Sequence, residues 1–304
     1  MAIDKHLQAQ IPCYYGQSQA TSGDLSATSS PNSAICVTMI NAYPSVHGGY
    51  SDIYQGQLAG QLVAVKRPRV YAGKASNNSI SDEVRIMSLI QNHPHILNIV
   101  GVTYHADVLS IITPWMNQGT LLEFVKSGNQ NASADTLSTQ HQAKQIIGAV
   151  AFMNKLTIVH GDLKAANILI RDNGTACVAD FGLSRFANSV PETTVVAAHA
   201  GVPVRGSFRW MAPELLLLDA CMVTYKSDIY AYGMVIYETY TGYMPYFNVS
   251  DFIAFSQIID GQRPPRLNVP DEIWDLARQC WKLDPHLRPT PERVIELLDV
   301  LKQT

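Results

Sequence analysis

Apolar and polar positions change rhythm along the chain, and each rhythm predicts a different element. From Ile35 to about Ile112 short β-rich runs dominate: Ile35–Ile40, Ile53-Tyr54 and Leu62–Lys66, the last two set apart by Gly56 and Gly60. In the Leu62–Lys66 run the two-residue period places Ala64 and Lys66 on one face, Val63 and Val65 on the other. Residues 78–91 switch to a helical period, with Ile80, Val84, Met87 and Ile90 three and four apart. Glu83 falls one turn before Met87, so helical phase turns it inward in preference to the adjacent Asp82. Two more apolar strands are predicted around 97–102 and 108–113, giving a β-rich region of about five strands and one helix.

Past Asn117-Gln118-Gly119 the helical period takes over. Residues 140–156 carry Ile146, Val150 and Met153 on one stripe, the mark of a buried helix. Ile168-Leu169-Ile170 and Cys177-Val178-Ala179 flank Asp172-Asn173-Gly174, a hairpin-turn signal. Further helices are predicted at about 213–219, 225–241, 251–260, 271–282 and 291–302. Residues 1 to about 34 are rich in Ser, Thr, Gln, Asn and Gly and hold neither period, which predicts a flexible leader or linker.

Composition narrows the class. In 304 residues, 47% hydrophobic and 15% charged content fits a globular chain with a sizeable core and argues against wholesale disorder. A net charge of -3 gives no electrostatic reason to expect nucleic acid or a membrane surface as partner. The five cysteines (Cys13, Cys36, Cys177, Cys221, Cys280) are scattered without a C-x-x-C pair, which reads as reduced intracellular thiols. No apolar signal core opens the chain and no run of about 18 apolar residues follows, so the expectation is a soluble protein of the cytoplasm or nucleus, without membrane insertion.

The candidate chemistry lies between His160 and Glu214. His160-Gly161-Asp162-Leu163-Lys164-Ala165-Ala166-Asn167 is followed by Asp180-Phe181-Gly182 and then Ala212-Pro213-Glu214, with Lys66 and Glu83 upstream. One such triplet is weak; three in this order and spacing are specific. Over about residues 35–304 the sequence resembles a protein kinase catalytic domain. The resemblance implies an α+β, bilobal fold. A small β-rich N-lobe (about 35–113) with one key helix would join, through a hinge at about 114–119, a larger, mainly α-helical C-lobe (about 120–304).

It also implies roles. Asp162 would orient the substrate hydroxyl and accept its proton, and Lys164 would steady the γ-phosphate of ATP. Asn167 and Asp180 would hold magnesium, with manganese as a substitute; oxygen donors suit such hard cations. Lys66 would clamp the α and β phosphates, with Glu83 as its partner. Thr113, Pro114 (through its carbonyl) and Met116 (through its N–H) would face adenine, and Ile53, Ala64 and Leu169 would sandwich it. Without the motifs the residues read more plainly: Asp162, Asn167 and Asp180 as turn formers, Lys66 and Lys164 as surface lysines, the adenine set as core.

The chain departs from the family pattern twice. The glycine-rich phosphate loop falls on Val46-His47-Gly48-Gly49-Tyr50-Ser51, where only the central Gly48 matches and Gly49 restores part of the flexibility. Gly161 stands where most regulated kinases carry an arginine that meets an activation-segment phosphate, so activity independent of that phosphate is expected. Ser189, Thr193 and Thr194 remain as phosphosites with other roles.

Lys164 and Gly206-Ser207 look like Ser/Thr kinases. The block from Gly206 to Glu214 is most similar to the tyrosine kinase-like group, of Raf and mixed-lineage type. Glu214 with Arg288 matches that family's buried structural ion pair, and Asp228 the helix residue that ties down the catalytic loop. The expected function is transfer of the γ-phosphate of ATP to Ser or Thr of protein substrates. The alternative is a pseudokinase scaffold, suggested by the altered glycine loop and Gly161. A tyrosine-directed kinase is disfavoured by Lys164.

Overall fold

The computed structural model describes residues 37–47, 51–69, 77–105, 108–128, 136–187, 207–217 and 222–301. The leader, Gly48, Gly49, Ser189, Thr193, Thr194 and Gly206 lie outside the described residues. The chain forms two compact units. The first takes the described residues up to Asn92 together with Leu97–Trp115, and the second takes His93–Ile96 and everything described from Met116 onward.

The first unit is an antiparallel sheet with one helix. Its strands are β1 (Thr38–Met39), β2 (Val46–His47), β3 (Ser51–Leu58), β4 (Gln61–Pro68), β5 (Gly101–His105) and β6 (Val108–Pro114). They lie in the order β1-β3-β4-β6-β5, with β2 also on β3. The helix, α1 (Asn77–Ile90), packs on β6. Its predicted stripe of Ile80, Val84, Met87 and Ile90 is buried throughout. Glu83 is buried with it, whereas Asp82 is exposed.

Two predictions need correction here. Gly56 does not separate strands but sits inside the eight-residue β3, opposite Val63. A Cβ there would lie 2.6 Å from Val37 Cγ1, so glycine admits a close backbone approach without interrupting the ladder. The strand predicted around 97–102 begins only at Gly101, because the chain just before it is held elsewhere. Ile96 bridges Val178, Val178 N–H donates to His95 O at 2.9 Å, and the His93 ring stacks on Phe152 at 4.9 Å. Those contacts place His93–Ile96, expected in the β-rich lobe, in the second unit.

The second unit is mainly helical. It contains α2 (Leu121–Lys126), α3 (Thr136–Lys155), α4 (Pro213–Leu217), α5 (Tyr225–Thr241), α6 (Asp251–Ile259), α7 (Asp271–Cys280) and α8 (Pro291–Leu301). Helix α2 escapes periodicity because it is six residues long, yet Thr120 and Glu123 form a reciprocal capping box at its start. A second such box, Thr224 with Ser227, opens α5, and Gly242 at φ 71° closes it. The middle of α5 is buried on all sides and packs against α3 and α7.

Two small antiparallel ladders complete the unit: β7 (Ile158–Val159) with β10 (Arg185–Phe186), and β8 (Ile168–Ile170) with β9 (Ala176–Val178). The second is the predicted hairpin around Asp172-Asn173-Gly174, with Gly174 at φ 81°. Arg288, its side chain fully buried, holds Glu214 through two bonds of 2.6 and 2.7 Å and donates also to Lys226 O, Lys282 O and Leu283 O. Among the described residues no helix is long and apolar enough to cross a membrane.

Candidate active site

The predicted site residues form one constellation in each unit. In the first, strand alternation on β4 buries Val63 and Val65 and leaves Ala64 and Lys66 half-buried. Lys66 Nζ lies 2.6 Å from Glu83 Oε1 on α1, with side-chain exposures of 17% and 4%. Ile53 is the ladder partner of Lys66 across β3, and Thr113 the partner of Ala64 across β6. Pro114 ends β6 opposite Val63. A proline lacks the N–H a central strand would use, and Trp115 N–H makes the next bond instead, to Leu62 O at 3.2 Å.

In the second unit the loop between β7 and β8 is held from below by Asp228, in the first turn of α5. One carboxylate oxygen accepts from His160 N–H at 2.7 Å and the other from Gly161 N–H at 3.0 Å. Burial pushes the Asp228 carboxyl up, against the opposing pull of His160, Arg185 and these two donors. The His160 ring, fully buried, is fixed by its two nitrogens. Nδ1 accepts from Asp162 N–H at 3.2 Å, so the proton sits on Nε2 and is donated to Ala179 O at 3.1 Å. That ring joins the loop to the segment running into Asp180-Phe181-Gly182, and it meets Phe181 edge-on at 5.3 Å. Gly161 adopts φ 83°, where a Cβ would stand 3.0 Å from Leu183 O.

On this base four candidate residues converge. Lys164 Nζ lies 2.6 Å from Asp162 Oδ2 and 2.8 Å from Ser207 Oγ. Asn167 Nδ2 donates to Asp162 O at 2.8 Å and Oδ2 at 2.9 Å. Both atoms facing that amide are acceptors, so its nitrogen must point toward Asp162 and its oxygen away. Asp180 is brought close by the hairpin: Ile168 pairs with Val178 and Ala179 N–H donates to Asn167 O at 2.8 Å. Asp180 is exposed and holds φ 62°, a conformation that costs a non-glycine residue about 1–3 kcal/mol and concentrates at functional sites.

The donor set fits magnesium. The Asn167 amide oxygen and the Asp180 carboxylate are both hard oxygen donors. Magnesium keeps several waters and takes one or two protein oxygens beside phosphate. Leu169 follows on β8, half-buried between the fully buried Ile168 and Ile170. Met116 is where the chain re-enters the second unit after Trp115, and its carbonyl accepts from Gly119 N–H at 3.1 Å.

The structure adds a residue that motif reading passes over. Glu238, buried in the last turn of α5, accepts from Ala165 N–H at 2.8 Å and from Trp210 Nε1–H at 2.7 Å. The one signal in the sequence is an acid inside an otherwise apolar and aromatic run, Val235-Ile236-Tyr237-Glu238-Thr239-Tyr240.

Comparison with known proteins agrees with this geometry. The profile of the family described as protein tyrosine and serine/threonine kinase matches residues 43–298. A protein named "Probable serine/threonine-protein kinase" from Dictyostelium discoideum is 30% identical over 83% of this chain and 15% of its own length. The tyrosine-protein kinase Abl of Drosophila melanogaster is 31% identical over 88% of this chain and 16% of its own. The serine/threonine-protein kinase STY17 of Arabidopsis thaliana is 29% identical over 84% and 43%. The chain thus spans less than half the length of these curated relatives. A β-sheet unit with one helix, a mainly helical unit and a profile match over most of the sequence lead to one conclusion: the chain belongs to the protein tyrosine and serine/threonine kinase family.

Proposed function

We propose that this protein transfers the γ-phosphate of ATP to serine or threonine hydroxyls of protein substrates. The observation that carries the reading is the Asp162–Lys164–Ser207 chain, with Asn167 locked onto Asp162. Phosphoryl transfer needs positioning and charge neutralisation more than covalent help. Asp162 is the acceptor for the proton of the substrate hydroxyl, and its orientation is set by two donors, Lys164 and Asn167. Lys164, a compact cation held 2.6 Å from that carboxylate, is placed to neutralise charge on the transferred phosphoryl group. Lys66, kept in place by Glu83, serves the α and β phosphates. The resemblance assigns adenine to the Pro114 carbonyl and the Met116 N–H, with Ile53, Ala64 and Leu169 as its apolar contacts.

Asn167 Oδ1 and Asp180 would hold magnesium, or manganese in its place. The bound ion supplies charge neutralisation at the phosphates. The link from Lys164 to Ser207 supports Ser/Thr specificity, and the Ser207–Glu214 block supports membership of the tyrosine kinase-like group. Gly161 supports activity without an activation-segment phosphate, since it offers no side chain to receive one. Full activity after phosphatase treatment is the expected result, and complete loss would refute that part.

The test is a magnesium-dependent transfer assay with a generic basic protein, run beside Asp162→Asn and read by phosphoamino-acid analysis. Phosphoserine or phosphothreonine that disappears in the variant is expected. Phosphotyrosine alone would overturn the specificity. No transfer, with ATP still raising the melting temperature, would point instead to a nucleotide-binding scaffold.

A further inference from the structure

Glu238 is 1% exposed, and a single one of its oxygens does two jobs. Oε2 accepts from the Ala165 backbone and from the Trp210 indole, donors that belong to two different segments. Ala165 follows Lys164 directly, and Trp210 stands three residues after Ser207, the hydroxyl that Lys164 also holds. The catalytic loop and the turn Ser207–Trp210 are therefore tied twice, once through the Lys164 side chain and once through the Glu238 oxygen. Between these ties Arg209 donates to Pro245 O, Tyr246 O, Val249 O and the Asp251 carboxylate. The turn is thus rigid from its far side, and Glu238 extends that rigidity to the loop.

A residue kept only for packing would not look like this. Glu238 Oε1 is buried with no hydrogen-bond partner among the described residues. Burial pushes the carboxyl up to about 7, against the pull of Ala165, Trp210, Lys164 and Lys126. An apolar side chain of similar volume would avoid that penalty. What glutamate adds over such a residue is acceptor capacity at the one point where the two donors meet.

We propose that Glu238 is a positioning residue for phosphoryl transfer: by holding Ala165 and Trp210 on one oxygen it fixes Lys164, and through Lys164 the carboxylate of Asp162. The assignment rests on the kinase reading above.

The experiment compares parent, Glu238→Met, Glu238→Gln and Trp210→Phe in steady-state transfer, alongside thermal melting. Methionine keeps the volume and removes the acceptor. The expected result is a fall in kcat of about 10- to 100-fold with KM for ATP within about two-fold, while the two donors left unpaired offset the relief of the buried carboxyl and melting moves by only a few degrees. Glutamine keeps a carbonyl acceptor and recovers most of the rate. Trp210→Phe removes one donor only and gives an intermediate loss of a few-fold in kcat. Should Glu238→Met fail to fold, Gln and Trp210→Phe still decide by the same split between kcat and KM. An unimpaired Met variant overturns the proposal, as does a loss in which kcat, KM and melting temperature fall together and Gln restores none. A parent that transfers no phosphate defeats the kinase reading first and takes this assignment with it. An active parent beside an indifferent Glu238→Met leaves the reading standing and removes the assignment alone.

Discussion

Two ion pairs, one in each unit, show how the same charges serve different ends. In the second unit Arg288 is fully buried and spreads its guanidinium over both Glu214 oxygens and three backbone carbonyls. In the first, Lys66 meets Glu83 at 2.6 Å with 17% of its side chain still exposed. Arginine's planar fork commits to fixed directions, whereas lysine is a compact cation on a flexible stem and can share its charge with an incoming phosphate. The fold pair is closed around its cation, with Glu214 20% exposed, whereas in the site pair Glu83 is the buried partner and the cation reaches solvent.

Breaking the closed pair has the largest effect on stability. Glu214→Ala strands a buried guanidinium and is expected to cost about 3–5 kcal/mol, a melting shift on the order of ten degrees. A variant that melts like the parent would show that the carbonyls alone hold Arg288. The open pair should respond in the opposite way. Lys66→Arg keeps the charge facing Glu83 but changes its shape, and transfer is expected to fall by about 100- to 1,000-fold with melting nearly unchanged. If both variants lose activity and stability in parallel, the contrast between the pairs fails.

A third acid sharpens the contrast because it has no cationic partner at hydrogen-bond distance among the described residues. Burial raises the Glu238 carboxyl from 4.5 to about 7, against the opposing pull of Ala165, Trp210, Lys164 and Lys126. The folded protein therefore holds a proton there that the unfolded chain releases. Its contribution is fully present below about pH 4.5 and is lost as pH rises through 7, a change of up to about 3 kcal/mol. Glu238→Gln cannot ionise. Its melting temperature should gain on the parent between pH 5 and 8, and parallel curves would show that Glu238 titrates normally. The smallest effect belongs to Gly161→Ala: a left-handed φ and a 3.0 Å approach to Leu183 O predict about 1–2 kcal/mol of destabilisation. An unchanged melt would mean the turn relaxes freely.

Much of this was legible along the chain, for local reasons. The stripe Ile80, Val84, Met87 and Ile90 decides which face of α1 is buried, and the same phase turns Glu83 inward and Asp82 out. Asp172-Asn173-Gly174 needs only its own dihedral preferences to make the hairpin that carries Asn167 toward Asp180. Gly56 misled because a glycine inside a strand and a glycine between strands look alike until the neighbour is known, and that neighbour is Val37. The apolar run after Ile96 misled for a similar reason, since hydrophobicity reports burial and not pairing, and the ladder on β6 begins only at Gly101.

The sequence by itself determined which residue types are present, in what order, and the face of each element that turns inward, because period and motif depend on neighbours a few positions apart. Only the tertiary structure decided which buried group meets which. Asp228 reaches back to His160 and Gly161, the His160 ring takes its tautomer from Asp162 and Ala179, and Glu238 meets Ala165 from 73 positions away. A buried donor or acceptor must find a partner or bear the full cost of desolvation. Periodicity states that demand at Glu238, and only the folded chain shows Ala165 and Trp210 meeting it.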